Sequence, residues 1–79
     1  MTALPPELER KIVDALTAPE NGWMSTWQES YDIIRAHYAC SAERADRILE
    51  DLYARRRLIV FVRGHEGPPF PYKWKRAEP

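Results

Sequence analysis

The sequence predicts an α+β fold in which three helices, the last two forming a helix-turn-helix, are followed by a C-terminal β-hairpin. Apolar residues recur at helical spacing in three segments before residue 57, whereas residues 58–62 are a β-branched and aromatic run too short for a helix. Residues 72–75 alternate aromatic and basic side chains, as a half-buried return strand does. The length of 79 residues suits one small domain, with an ordered core expected over about residues 6–76.

The first helix is expected over residues 5–18. Pro5 and Pro6 are compatible with a first helical turn, because the N–H groups that they lack would have no partner within the helix. Turn-forming residues at 19–22 should end it. The apolar positions that share one face of this helix are Leu8, Ile12, Ala15 and Leu16.

The second helix should begin near Ser25 or Thr26 and end around residues 37–39. Each of these two hydroxyl residues is followed three positions later by Gln or Glu, which is the arrangement of a capping box. The side chains that share a face of this helix are Trp27, Tyr31, Ile34 and Tyr38. We expect the tryptophans Trp23, Trp27 and Trp74 to lie in the core, because a domain of this size depends on its aromatic residues for buried area.

Ser41 is the expected N-cap of the third helix, which should run to about Arg56. Only a few residues, centred on Cys40, separate it from the second helix, and this short connection is typical of a helix-turn-helix. One side of the third helix gathers the apolar residues Ala42, Ala45, Ile48, Leu49, Leu52 and Tyr53.

Composition excludes several classes of protein. A single cysteine cannot form an internal disulfide, and no segment approaches the roughly 18 apolar residues of a membrane helix, so we expect a cytoplasmic protein without membrane contact. His37 and Cys40 have metal-like spacing but no second pair of ligands, so neither a metal nor a cofactor is expected. No glycine-rich phosphate loop or catalytic constellation is present, and enzymatic activity is not expected.

Charge is distributed unevenly along the chain. The formal net charge is zero, but residues 1–40 sum to −3 and residues 41–79 to +3. A basic half beside an acidic half indicates one face suited to an anionic partner.

The order of elements, and the stretch from Ser41 to Ile59 that would carry the third helix into the first strand, resemble the winged helix-turn-helix superfamily. The resemblance implies binding of double-stranded DNA, as a transcriptional regulator or an accessory protein, with a homodimer or a protein partner enlarging the footprint. By position, it implies that Ser41, Arg44 and Arg47 lie on the front half of the helix that reads DNA, with Arg44 and Arg47 as candidate base readers. The DNA-binding residues of the wing would be Arg63, His65, Lys73, Lys75 and Arg76. Contacts to phosphates would come from Arg55, Arg56, Arg57, Lys73 and Lys75.

The third helix departs from the pattern of the superfamily in two ways. The glycine that often ends this helix is absent, and acidic residues surround Arg47. Glu43, Arg47 and Asp51 have the i, i+4, i+8 spacing of a surface ladder of ion pairs, which would occupy Arg47.

Structural roles also remain open for the other basic groups. The three arginines at 55–57 could complement the helix dipole, and the lysines of the return strand could protect a sheet edge from aggregation. The alternative function is a protein-interaction module without DNA binding, whose anchor would be the rigid apolar wing tip Pro68, Pro69, Phe70 and Pro71.

Overall fold

The computed structural model describes residues 4–65 and 71–77. It confirms the α+β fold: three helices are followed by an antiparallel hairpin. Pro68, Pro69 and Phe70 of the predicted wing tip lie outside the described residues. The elements are α1 (Pro6–Leu16), a short 3-10 turn (Pro19–Asn21), α2 (Trp27–His37), α3 (Ala42–Glu50) with a π-helical extension (Asp51–Arg55), β1 (Ile59–Arg63) and β2 (Tyr72–Arg76).

The start of α2 is fixed by a carboxylate. Glu29 accepts hydrogen bonds from the backbone N–H groups of Ser25 (2.5 Å) and Thr26 (2.9 Å), with Thr26 as the N-cap. These N–H groups, that of Ser25 first, lower the pKa of Glu29 from its ordinary value. The predicted capping box is therefore the one that begins at Thr26.

The end of the third helix is widened and then terminated without a glycine. The Arg56 N–H donates to the Asp51 carbonyl (2.9 Å), a π-helical bond, and the Leu58 N–H donates to the Leu52 carbonyl (2.7 Å). Between them, Arg57 has a φ of 52°, in the left-handed region that usually selects glycine. The prediction that the helix reaches about Arg56 holds, and Arg57 takes the position of the missing glycine.

Met24 pairs with β2 as a third member of the sheet, which the sequence did not predict. Val60 lies opposite Lys75 and Phe61 opposite Trp74 in the β1–β2 pair. On the other side of β2, Met24 exchanges two backbone hydrogen bonds with Tyr72, of 2.8 and 2.9 Å. The spatial order is therefore Met24, β2, β1, and β2 is an inner strand at Tyr72. The interpretation that the lysines of β2 protect an open sheet edge therefore does not apply at this end of the strand.

A small aliphatic core joins the helices to the hairpin. Its fully buried side chains include Ile12 and Leu16 of α1, Ile34 of α2, Leu49 and Leu52 of the third helix, and Ile59 of β1. A chain of polar groups crosses the same region. The Trp74 indole N–H donates to the Ser30 hydroxyl (2.9 Å), that hydroxyl lies 2.7 Å from the Tyr72 hydroxyl, and the Tyr72 O–H donates to the Thr26 carbonyl (2.6 Å). No described helix has the length and apolarity to cross a membrane.

The prediction that all three tryptophans are core residues was wrong for two of them. Trp74 is buried, but Trp23 is 49% and Trp27 43% exposed. Trp27 is the first residue of α2, and its ring contacts those of Tyr72 and Trp74, with centroids 5.2 and 5.6 Å away, but these contacts cover only part of it. Helical spacing identified the correct face of α2 but not how far the neighbouring elements cover it.

Candidate nucleic-acid interface

The first half of α3 is predicted to read bases, but its polar groups form contacts within the domain. The Ser41 hydroxyl accepts the Arg44 backbone N–H (3.1 Å) and caps the helix, while Arg44 itself is half-buried. The Arg47 guanidinium lies 3.2 Å from the Glu43 carboxylate. This is one of the two pairs in the predicted ladder; Asp51 instead lies 3.4 Å from Arg56.

The exposed surface of α3 is acidic. Glu43, Asp46 and Glu50 are all exposed, and of these Asp46 accepts a hydrogen bond from the Tyr31 hydroxyl (2.6 Å). These carboxylates would face phosphate oxygens if α3 entered a groove of DNA, and like charges repel. The geometry of α3 therefore disfavours the base-reading role implied by the resemblance.

The contact between Tyr31 and Asp46 leads to a prediction about alkaline pH. The hydrogen bond to Asp46, aided by burial, raises the pKa of Tyr31 to about 12, from an ordinary value of 10.0. Because the folded state holds this proton more tightly than the unfolded chain, its stabilisation is present below pH 10 and is lost as the pH rises towards 12.

We expect the free energy of unfolding, measured by urea denaturation, to fall over this range less steeply in Tyr31→Phe than in the wild type. Burial also raises the pKa of Tyr72, so part of the dependence should remain. Tyr53→Phe is the control, since the Tyr53 hydroxyl has no hydrogen bond within the described residues. Equal slopes for Tyr31→Phe and the wild type would contradict the prediction.

The three consecutive arginines at the end of the third helix have different surroundings. Arg56 lies 2.5 Å from Glu9, whose side chain is only 15% exposed, and its pKa is raised chiefly by this hydrogen bond. It therefore ties α1 to the helix end. Arg55 and Arg57 are exposed and have no ion pair within residues 4–65 and 71–77. The sequence could not separate these roles, because Glu9 is distant from Arg56 along the chain.

The basic residues of the wing also differ in their surroundings. Lys73 and Lys75 stand opposite Val62 and Val60, on the side of the sheet away from the core. The Lys73 ammonium lies 4.7 Å from the centroid of the Trp23 ring, whereas Lys75 is exposed without a partner in the described part of the chain. Arg76 forms an ion pair with Asp14. Arg63 and His65 are exposed at the far end of β1.

An open cleft of about 490 Å³ brings basic residues from distant elements together. Three arginines line it, Arg10 of α1, Arg57 and Arg76. The lining also includes the carboxylate residue Glu9 and the apolar residues Val13 and Leu58. Sequence reasoning missed Arg10, which nothing distinguishes from any other exposed helical arginine. The cleft continues the basic end of the molecule onto α1.

An aromatic surface lies beside the acidic face of α3. Trp27, Tyr53 and Phe61 are each more than a third exposed, and the Trp27 ring is 6.5 Å from that of Tyr53 and 5.9 Å from that of Phe61. Tyr53 was predicted to face the core. It lies in the π-helical segment, where each turn takes more residues than in an α-helix, so positions counted at α-helical spacing shift around the axis.

No protein-family model, curated protein or solved structure matches this chain. Within the described residues, no group of three or more His, Cys, Asp or Glu side chains could hold a metal ion.

Proposed function

We propose that this domain binds double-stranded DNA, as a regulator or accessory protein, through contacts to phosphates made by the end of the third helix and the wing. The observation that supports it is a set of exposed cations without carboxylate partners in the described residues: Arg55, Arg57 and Lys75. Such cations neutralise phosphates and release counterions, which provides affinity with little dependence on sequence. We also propose the cytoplasmic location that was expected from the sequence.

These cations lie near the junction of the third helix and the hairpin. Arg57 shares a cavity with Val60 of β1, and Val60 lies opposite Lys75 in the sheet. Arg55 precedes Arg57 by two residues in the π-helical segment. DNA lying across this end would meet the cations while the acidic part of α3 stays away from the phosphates. The contribution of bases to recognition should therefore be small, because Arg47 is held by Glu43.

The test is fluorescence anisotropy of a labelled random duplex, titrated with protein at 50 and 200 mM salt. Three phosphate contacts, each contributing a slope of about 0.9 in log affinity against log salt, predict an affinity about 40-fold lower at the higher salt. Arg57→Gly and Lys75→Gln should each reduce the slope by about 0.9.

Arg57→Gly separates binding from folding. Glycine removes the charge and also relieves the left-handed backbone at this position, so it should stabilise the domain by about 1 kcal/mol while weakening DNA binding. Lys11→Gln is the matched control, because Lys11 is an exposed cation on α1 without a partner in the described residues. Its salt slope should equal that of the wild type. Absence of binding at 50 mM salt, or unchanged slopes in both test variants, would overturn the proposal.

The alternative, a protein-interaction module anchored by the wing tip, stays a prediction, since three of its four residues lie outside the described chain. Pro71, the fourth, lies at the base of the hairpin, and its carbonyl accepts the Gly64 N–H (2.7 Å).

A further inference from the structure

One side of β1 pairs with no other strand among residues 4–65 and 71–77. The Gly64 N–H donates to Pro71, and the Ala77 N–H donates to the Leu58 carbonyl. In an antiparallel ladder, hydrogen-bonding residues alternate with residues whose backbone groups point the other way. It follows that Val60 and Val62 direct their backbone polar groups to β2, while Phe61 and Arg63 direct theirs to the open side.

This open edge lacks the usual protection. Natural edge strands carry lysines, prolines or bulges that prevent pairing with another chain. Here β1 begins with four apolar residues in succession, and its pairing with β2 is unbroken by a bulge. Val60 and Phe61 are 43% and 44% exposed. The lysines of the hairpin instead lie on β2, which is paired on both sides at Tyr72, whereas the charge of β1 is confined to Arg63 at its end.

A recess runs alongside the edge. Residues of the π-helical segment and of β1, together with Arg57, line a cavity of about 330 Å³; they are Tyr53, Ala54, Ile59, Val60 and Phe61. It joins the aromatic surface at Tyr53, because the same tyrosine also lines the neighbouring recess around Trp27. An added strand would therefore meet both unpaired backbone groups and apolar side chains, the two features of recognition by β-strand addition.

We propose that a second copy of this chain occupies the edge, with the two β1 strands antiparallel about a two-fold axis at Phe61. The outward-facing residues of β1 are spaced symmetrically about Phe61, so the edge is complementary to itself. In this register Phe61 meets Phe61 of the second copy, and Val60 meets Val62 of the second copy. The four strands would form one sheet in the order β2, β1, β1, β2.

Charge is compatible with this register, which pairs all five residues of β1. Arg63 is the only charged residue of β1, and a two-fold axis at Phe61 places it opposite Ile59 of the second copy, so no like charges of the two strands lie directly opposite each other. A formal net charge of zero adds no general repulsion between the copies.

The interface is small, so the dimer should be weak. Its exposed apolar side chains are few, and stable complexes bury about 800 Å² on each partner. We therefore expect sedimentation equilibrium to show a monomer at about 1 µM and a growing dimer fraction towards about 1 mM. This measurement contains no DNA, so it can fail independently of the proposed function.

Two changes to the edge test the mode of association. Val60→Lys should abolish the dimer, because each of the two paired β1 strands would then carry a lysine. Ala36→Lys is the matched control: it adds the same charge at an exposed position of α2 and should dimerise as the wild type does. A synthetic chain with an N-methylated Phe61 amide removes only the outward N–H, keeps every side chain, and should remain monomeric.

The register is tested by isotope-filtered NMR of a mixture of labelled and unlabelled chains. It should show a contact between the α-protons of Val60 and Val62 in different copies, because these residues form a closely spaced pair without direct hydrogen bonds. A monomer at every concentration would overturn the proposal. So would a dimer that persists in both Val60→Lys and the N-methylated chain, since that dimer would use another surface.

Discussion

Replacing Ser30 by alanine should destabilise the domain by about 2 kcal/mol and lower its Tm by roughly 10 °C. Ser30 is fully buried, and its hydroxyl joins the Trp74 indole N–H to the Tyr72 hydroxyl. Alanine leaves the indole without an acceptor and the tyrosine oxygen without a donor, in a region from which water is excluded. An unsatisfied buried polar group costs about 1–3 kcal/mol, which is a large share of the stability of a domain this small.

Denaturation by urea and by heat measures the effect, and Ser25→Ala is its control. Ser25 is exposed and contributes its backbone N–H, not its hydroxyl, to the cap of α2, so its replacement should change the stability by less than about 0.5 kcal/mol. Equal stabilities of the two variants would show that the buried chain of hydrogen bonds contributes nothing.

A second variant tests whether the polar groups act together. Tyr72→Phe removes the hydroxyl that Ser30 and the Thr26 carbonyl share. Once either member is gone, the remaining bonds of the chain are already weakened. The double variant Ser30→Ala/Tyr72→Phe should therefore be less destabilised than the sum of the two single changes.

These hydrogen bonds also position the wing. Trp74 and Tyr72 belong to β2, whereas Ser30 and Thr26 belong to α2 and its cap, so the hydrogen bonds join the hairpin to the helix-turn-helix. Because Lys75 follows Trp74 directly, the same contacts set where the proposed phosphate-binding side chain lies relative to the third helix.

Most of the fold could be predicted because each helix and strand has a periodic pattern within its own segment of the sequence. Helical spacing identified three helices, and the change of period after residue 57 identified the hairpin. The pairing of Met24 with Tyr72 was not predictable, since a single pair of residues leaves no periodic pattern. Ser30 lies at helical spacing from Trp27 and Ile34, but this position does not reveal that its hydroxyl would contact Trp74 and Tyr72 of β2.

The candidate site was predictable only where its contacts are local. The Glu43–Arg47 pair follows from i, i+4 spacing, and the structure contains it. The pairing of Arg56 with Glu9 depends on how α1 packs against the helix end, which no local pattern encodes. Likewise, the exposed edge of β1 could be identified only after the strand order was known.

Gly64→Ala should open the base of the hairpin and destabilise the domain by about 1–3 kcal/mol. Gly64 is buried, and its N–H donates to the Pro71 carbonyl. A Cβ at this position would lie 2.7 Å from Pro71 Cγ and 3.2 Å from the Pro71 carbonyl oxygen. A ring atom and a backbone oxygen cannot rotate away, so the two strands must separate where the wing begins.

Removal of the proline ring should rescue the alanine variant. In Gly64→Ala/Pro71→Ala the closest clash is gone, so the double variant should be more stable than Gly64→Ala alone, and hydrogen exchange of the residue 64 amide should slow again. No rescue would mean that the contact with the carbonyl, which both variants retain, is the limiting one. Gly22→Ala provides the contrast: its Cβ would meet nothing within 4 Å, but its φ of 66° disfavours any side chain, so its cost comes from the backbone and Pro71→Ala should not relieve it. Rescue at Gly64 but not at Gly22 would show that steric contact with Pro71, rather than backbone conformation, requires glycine at the base of the wing.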